Sequence, residues 1–167
     1  MALVSLPFGA RAQVSTVAKP VQFGIAGGAA LPTSDLSDGA NTGYNLTGTV
    51  ALNPAMIPLG IRIDGAYNRF SIKGADGDFH FTSVTGNLVY KIPTAGVAPY
   101  LIGGGGIYNS HRTPFPGGHS STDPGANFGG GIRFNFTDAT TFIEARYHKV
   151  SGDSRIRILP VTVAILF

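Results

Sequence analysis

Cysteine and tryptophan are absent from this sequence, and charged residues make up only 13% of it. The missing cysteine excludes a small scaffold stapled by disulfides. No apolar run approaches the roughly 18 to 20 residues that a membrane-spanning helix requires, so helical spans are excluded as well. The net charge is only +3 and no Lys/Arg cluster appears, which removes the electrostatic footprint of a nucleic-acid binder. No segment holds a helical period over ten or more residues. What remains is a chain of 167 residues with 24 glycines, 11 prolines and 43% apolar residues. That balance disfavours a helical bundle and fits one all-β domain.

Met1 to Ala12 combines an apolar stretch with Ala10-Arg11-Ala12, a small-x-small pattern of the kind signal peptidase cuts after. Residues 1–12 are therefore read as the remainder of a signal peptide, 13–20 as a lead-in, and 21–167 as the folded domain. Export is expected.

Eight strand-like runs follow, separated by turn clusters: Val21 to Ala30, Gly43 to Asn53, Leu59 to Ile72, Asp78 to Ile92, Val97 to Asn109, Ala126 to Phe136, Thr140 to Val150 and Ile156 to Phe167. Most match the roughly 9 to 11 residues that a tilted strand needs to cross a bilayer. The connections alternate in length. Those after the odd-numbered runs are polar and mostly long (Leu31 to Thr42, Lys73 to Gly77, Ser110 to Gly125, Ser151 to Arg155), and those after the even-numbered runs are short turns (Pro54 to Pro58, Pro93 to Gly96, Thr137 to Ala139). Membrane barrels of the outer membrane have this asymmetry, with both termini on the periplasmic side and the longer loops outside.

The two faces of each run point the same way. Ile61, Ile63 and Tyr67 alternate with Arg62, Asp64 and Asn68; Ile143, Ala145 and Tyr147 alternate with Glu144, Arg146 and His148. An apolar outside with a polar inside is the inverse of a soluble barrel such as a lipocalin, whose lumen is apolar. Arg or Lys facing lipid at mid-bilayer costs roughly 2 to 4 kcal/mol. Arg62, Asp64, Arg133, Glu144 and Arg146 are thus expected to face inward as a paired lumen network, because charge withdrawn from water must be paired. The tyrosines Tyr44, Tyr67, Tyr90, Tyr100, Tyr108 and Tyr147 are expected near strand ends as an interfacial girdle.

The final run places Leu159, Val161, Val163, Ile165 and Phe167 on one face. This stripe resembles the C-terminal signature of bacterial outer-membrane proteins, which the barrel assembly machinery reads. Together with the glycine-rich stretches Gly103 to Gly106 and Gly129 to Gly131, it makes the chain similar to the small OmpA/OmpX-type and opacity-type barrels of Gram-negative bacteria. The resemblance implies an eight-stranded antiparallel up-and-down transmembrane β-barrel in the outer membrane, in contact with the lipid bilayer and lipopolysaccharide.

Chemistry-bearing motifs are sparse. Gly103 to Gly106 lacks the Lys-Ser/Thr of a phosphate loop. His80, His111, His119 and His148 show no metal-ligand spacing, and no cofactor or metal is expected. Ser110-His111, His119-Ser120 and Glu144/His148 are the raw material for the lipid-hydrolase alternative, and no orienting acid accompanies the loop histidines. The expected function is structural or interactive: a barrel with a filled lumen presenting the loop Ser110 to Gly125 to an extracellular ligand, with no catalytic residue. The alternatives are a soluble lipocalin-like carrier, a membrane-embedded lipid hydrolase and a small ion pore. Deleting Phe167 is expected to reduce the membrane-inserted fraction, scored by urea extraction of membranes, while the inserted fraction keeps its ligand binding.

Overall fold

A computed structural model of the chain describes residues 20–33, 35–54, 57–74, 77–94, 97–113, 120–136, 139–152 and 156–167. The expected signal segment 1–12 and most of the lead-in 13–20 lie outside the described residues. The domain is a closed barrel in which each strand pairs antiparallel with its sequence neighbours and the last returns to the first. The strands are β1 (Val21–Pro32), β2 (Gly43–Leu52), β3 (Leu59–Ser71), β4 (Asp78–Lys91), β5 (Ala98–Thr113), β6 (Ser120–Asn135), β7 (Thr140–Val150) and β8 (Arg157–Leu166), with a short helix α1 (Asp35–Gly39) between β1 and β2. The eight-stranded up-and-down barrel expected from the run pattern is what the chain forms.

Strict alternation sorts the side chains. In β2, Asn45, Thr47, Thr49 and Ala51 are buried, while Tyr44, Leu46, Val50 and Leu52 are exposed. In β3, Arg62, Asp64 and Asn68 are buried, whereas Ile61 and Ile63 are half exposed. The outer wall is made of such residues, among them Phe23, Ile25, Val84, Leu88, Leu101, Ile107, Phe128, Ile143 and Val163. A continuous apolar wall around a polar interior fits hydrocarbon as the surrounding medium. In β8 the outward stripe is Val161, Val163, Ile165 and Phe167, and the inward side chains are mostly apolar, with Thr162 among them. Phe167 and Phe23 exchange backbone hydrogen bonds at 2.9 and 3.1 Å, which closes the β1/β8 seam at the terminal end.

Three features differ from the sequence reading. Of the loop expected over Ser110 to Gly125, residues 110–113 and 120–125 are strand, with β5 and β6 paired up to His111 and Ser120, and residues 114–119 lie outside the described residues. Hydroxyl and amide side chains support that extension in a polar medium, since Asn109 Nδ2 donates to Ser120 Oγ at 3.2 Å and to Thr122 Oγ1 at 2.8 Å. The polar segment after β1 contains α1, whose Leu36 packs onto the lumen end. Tyr100 and Tyr108 leave the expected girdle and turn inward, because glycines oppose them. Tyr100 is the register partner of Gly131, and Tyr108 lies over Gly125. A methyl group at Gly131 would come within 2.5 Å of the Tyr100 hydroxyl and of the Ile143 carbonyl. The ring thus fills the space that the glycine leaves.

Gly131→Ala should therefore lower stability by about 1 to 3 kcal/mol. Gly86→Ala, at an outward glycine with nothing within 4 Å of an added methyl, should change it by less than about 0.5 kcal/mol. Urea unfolding midpoints of the protein refolded into lipid vesicles check both.

Candidate functional site

The interior is built in layers. At the loop end Phe70, Phe79, Phe81 and Tyr108 pack with Ala30, Val150, Ile156 and Ile158, and Leu36 of α1 packs against them from above. Phe70 and Phe81 stack at 6.3 Å, and Phe81 meets Tyr108 at 6.2 Å. At the terminal end Tyr100, Ile102, Phe142 and Leu166 form a second apolar cluster with Ala26 and Ala164. Tyr100 and Phe142 meet edge to face at 6.0 Å.

Between the two apolar layers lies a closed quartet of charges. Arg62 and Asp64 come from β3 and Glu144 and Arg146 from β7, each pair two residues apart on the inward face. In a ring of eight, the third and seventh strands are diametrically opposed. Each arginine therefore bridges both acids. Arg62 Nε lies 3.0 Å from Asp64 Oδ2 and its Nη2 lies 2.8 Å from Glu144 Oε1. Arg146 Nη1 lies 2.8 Å from Asp64 Oδ2 and its Nη2 lies 2.6 Å from Glu144 Oε1. The remaining carboxylate lone pairs are also used: Thr49 Oγ1 donates to Asp64 Oδ1 at 2.5 Å, Asn87 Nδ2 to Asp64 Oδ2 at 2.9 Å, and Tyr100 OH to Glu144 Oε2 at 2.7 Å. The Arg62 guanidinium also sits over the Phe142 ring, 5.1 Å from its centroid. Two positive and two negative charges cancel, and none of the four residues is more than 7% exposed. Such burial is tolerable only with this degree of pairing.

Arg133 corrects the expected membership of the network. It is inward and half-buried, but its Nη2 contacts Gln22 Oε1 at 3.1 Å and Thr140 Oγ1 at 3.2 Å, nearer the terminal end than Asp64 and Glu144. The reason is register, since Arg133 pairs with Ala98 and Phe142 at the starts of β5 and β7. Above the quartet, Asn45 Nδ2 donates to Asn68 Oδ1 at 2.7 Å, and Tyr108 OH and His148 Nδ1 are 2.9 Å apart. The polar layer leaves a cavity of ≈20 Å3, space for about one water molecule.

The raw material for catalysis is only partly brought together: His111 and Ser120 are outward register partners, and His119 lies outside the described residues. Glu144 is committed to both arginines and Tyr100, His148 is buried against Tyr108, and Ser110 is buried on the inward side. His111 faces outward beside His80, their ring centroids 5.1 Å apart. The sequence reading missed that neighbourhood because it arises across strands, 31 positions apart in the chain. Among the described residues no group of three or more His, Asp or Glu side chains is arranged to hold a metal ion.

The family model for the outer membrane protein beta-barrel domain matches residues 1–159. No curated protein matches the sequence. Among solved structures, Neisserial surface protein A is similar with a TM-score of 0.73 at 17% identity, covering 89% of this chain and 96% of its own. The attachment invasion locus protein Ail of Yersinia pestis aligns with a TM-score of 0.51 at 22% identity, over 87% of this chain and 94% of that one. The outer membrane enzyme PagL aligns with a TM-score of 0.53 at 15% identity, over 87% and 98%. Identities this low carry the fold alone.

Glu144→Ala leaves both arginines short of countercharge in a buried layer and should cost about 3 to 5 kcal/mol. Replacing the whole quartet by apolar residues of similar volume should be far less damaging, near neutral to within about 1 to 2 kcal/mol. Equilibrium urea unfolding in vesicles, with the heat-dependent gel shift as a check on folding, separates the two outcomes.

Proposed function

The chain belongs to the outer-membrane protein β-barrel family, and from that premise we propose that it works as a filled membrane scaffold whose active surfaces are its outer wall and its external rim. Its place is the outer membrane. The observation that carries the reading is the lumen. An aromatic layer, a neutralised charge quartet and the Tyr100/Phe142 layer succeed one another along the axis, and the two cavities that the described residues line between them are each ≈20 Å3. At about eight strands the inside of a barrel is just filled by its side chains, so bulk diffusion through it has no room.

Function is then displaced to what the barrel holds up. The β5/β6 hairpin is the longest part of the sheet, 16 residues in each strand. At its outer end it displays Asn109, His111, Ser120 and Thr122. Rigid scaffolds commonly carry recognition on such projections. The proposed partner is an extracellular ligand bound by this hairpin and the loop it carries, within the span Ser110 to Gly125. The role is binding, and Glu144, His148 and Ser110 face inward, away from the rim. Residues 1–12 serve as a cleaved export signal, and the stripe Leu159, Val161, Val163, Ile165, Phe167 is read by the barrel assembly machinery during insertion.

Two measurements on the full chain test the reading. In planar bilayers the protein should give no conductance above background. Cells displaying it should bind an array of immobilised glycans and matrix proteins, and trimming the hairpin to a short turn between Ile107 and Pro124 should weaken that binding about tenfold or more, a loss of roughly 1.4 kcal/mol or greater. Steady single-channel currents, or array binding indifferent to the trimmed hairpin, would overturn it.

A further inference from the structure

Among the described residues, the histidines divide into one that is committed and two that are not. His148 is held in the lumen, where its Nδ1 lies 2.9 Å from Tyr108 OH. His80 and His111 are register partners on β4 and β5. They alternate with the buried Phe81 and Ser110, so both imidazoles stand on the outward face. Directly opposed residues of an antiparallel pair have Cβ atoms about 4.5 to 5.5 Å apart. The rings keep that closeness, with centroids 5.1 Å apart and planes 33° from parallel. Among the described residues no group is hydrogen bonded to a nitrogen of either ring. Both side chains are partly exposed, which leaves their nitrogens reachable from outside.

Paired imidazoles with open nitrogens are ligands for zinc and copper. With Zn–N bonds of about 2.0 to 2.1 Å and a tetrahedral angle, two imidazoles on one zinc ion have ring centroids about 5 Å apart. His80 and His111 already have that spacing, so binding asks for rotation of two rings and no movement of the strands. The neighbours support it. Tyr67 stacks on His80 at 6.0 Å and limits the tilt of that ring. Ser120, the partner of His111 on β6, brings a hydroxyl beside the pair that can hydrogen-bond a metal-bound water. Arg69 stands opposite His80 on β3 and would repel a cation, but its ion pair with Asp78 offsets that charge.

Other ligand-bearing side chains are already engaged. Asp64 and Glu144 are taken up by Arg62 and Arg146, and Asp123 Oδ2 accepts from Ser121 Oγ at 2.6 Å. We propose that His80 and His111 form a two-ligand surface site for a divalent metal ion of the imidazole-preferring kind, zinc or copper(II), on the outer wall near its loop end. Two protein ligands fill half of a tetrahedral shell, so the remaining positions hold water and stay open to a donor from another molecule. The pairing rests on the register of β4 and β5, whereas its exposure outside the cell rests on the membrane-barrel reading.

The test uses the full chain, free of any histidine tag and folded in detergent micelles, with zinc chloride as the probe. Calorimetric titration should give a Kd of roughly 1 to 100 μM, and H80Q and H111Q should each weaken it at least about tenfold. With copper(II) in place of zinc, the electron paramagnetic resonance spectrum should show coupling to two imidazole nitrogens in the wild type and to one in either single variant. Magnesium, a hard ion that prefers oxygen, should not displace zinc. A folded wild type that binds no zinc overturns the site. So does an unchanged affinity in an H80Q/H111Q variant that keeps its heat-dependent gel shift, because the ion would then sit on other residues, such as His119. Displacement by magnesium counts against it equally, since carboxylates would be the ligands. If the double variant does not fold, the single variants decide in the same way. A wild-type chain with no gel shift at all overturns the barrel reading instead, a result distinct from a folded barrel indifferent to zinc.

Discussion

Hydrocarbon offers a backbone amide no partner, so every strand in the wall has to find both of its neighbours within the chain. The β1/β8 seam is where this requirement is met for the sheet as a whole. Gly24 through Pro32 pair with Leu166 back to Ile158, and the reciprocal hydrogen bonds of Phe23 and Phe167 finish the ladder at the terminal end. With the ring closed, no edge is left in the span to recruit another chain or a water molecule. The outward side chains then need only match lipid, and the inward ones must satisfy one another.

That second condition shapes the interior. A lumen of this width cannot hold bulk water, yet it contains Arg62, Asp64, Glu144 and Arg146. They are compatible with it because two strands on opposite sides deliver complementary pairs at the same depth, and Thr49, Asn87 and Tyr100 use up the remaining carboxylate lone pairs. The glycines belong to the same solution. Gly131 and Gly125 leave room for the rings of Tyr100 and Tyr108, and Tyr100 can then hand its hydroxyl to Glu144. Aromatic layers above and below keep bulk solvent from the quartet, which strengthens its internal attractions. The same packing leaves little free volume among the described lumen residues, which supports the scaffold reading.

Much of this was legible in order of appearance along the chain. Period-two alternation in segments such as Gly43 to Asn53 and Leu59 to Ile72 separated the lipid face from the lumen face, since a one-residue slip would reverse every side chain. Alternating connection lengths set the two ends. Where the reading failed, local pattern met a partner it could not see. Tyr100 and Tyr108 looked like girdle residues until the glycines across β6 gave them an inward place, and Ser110 to Gly125 looked like loop because prolines and glycines punctuate a segment whose cross-strand hydroxyl and amide pairs still hold a hairpin.

The sequence alone therefore determined the class of fold, the sidedness of each strand and the inward position of the charges, because these depend on periodicity and on the cost of placing charge in lipid. Only the tertiary structure decided who meets whom. Arg62 and Glu144 are 82 residues apart, and Arg133, with the same inward parity, falls at another depth beside Gln22. The His80/His111 pair and the row it shares with Arg69 likewise exist only once β3, β4 and β5 are in register. Parity along one strand is a local property, whereas depth and neighbourhood are set by the stagger of eight strands around a closed ring.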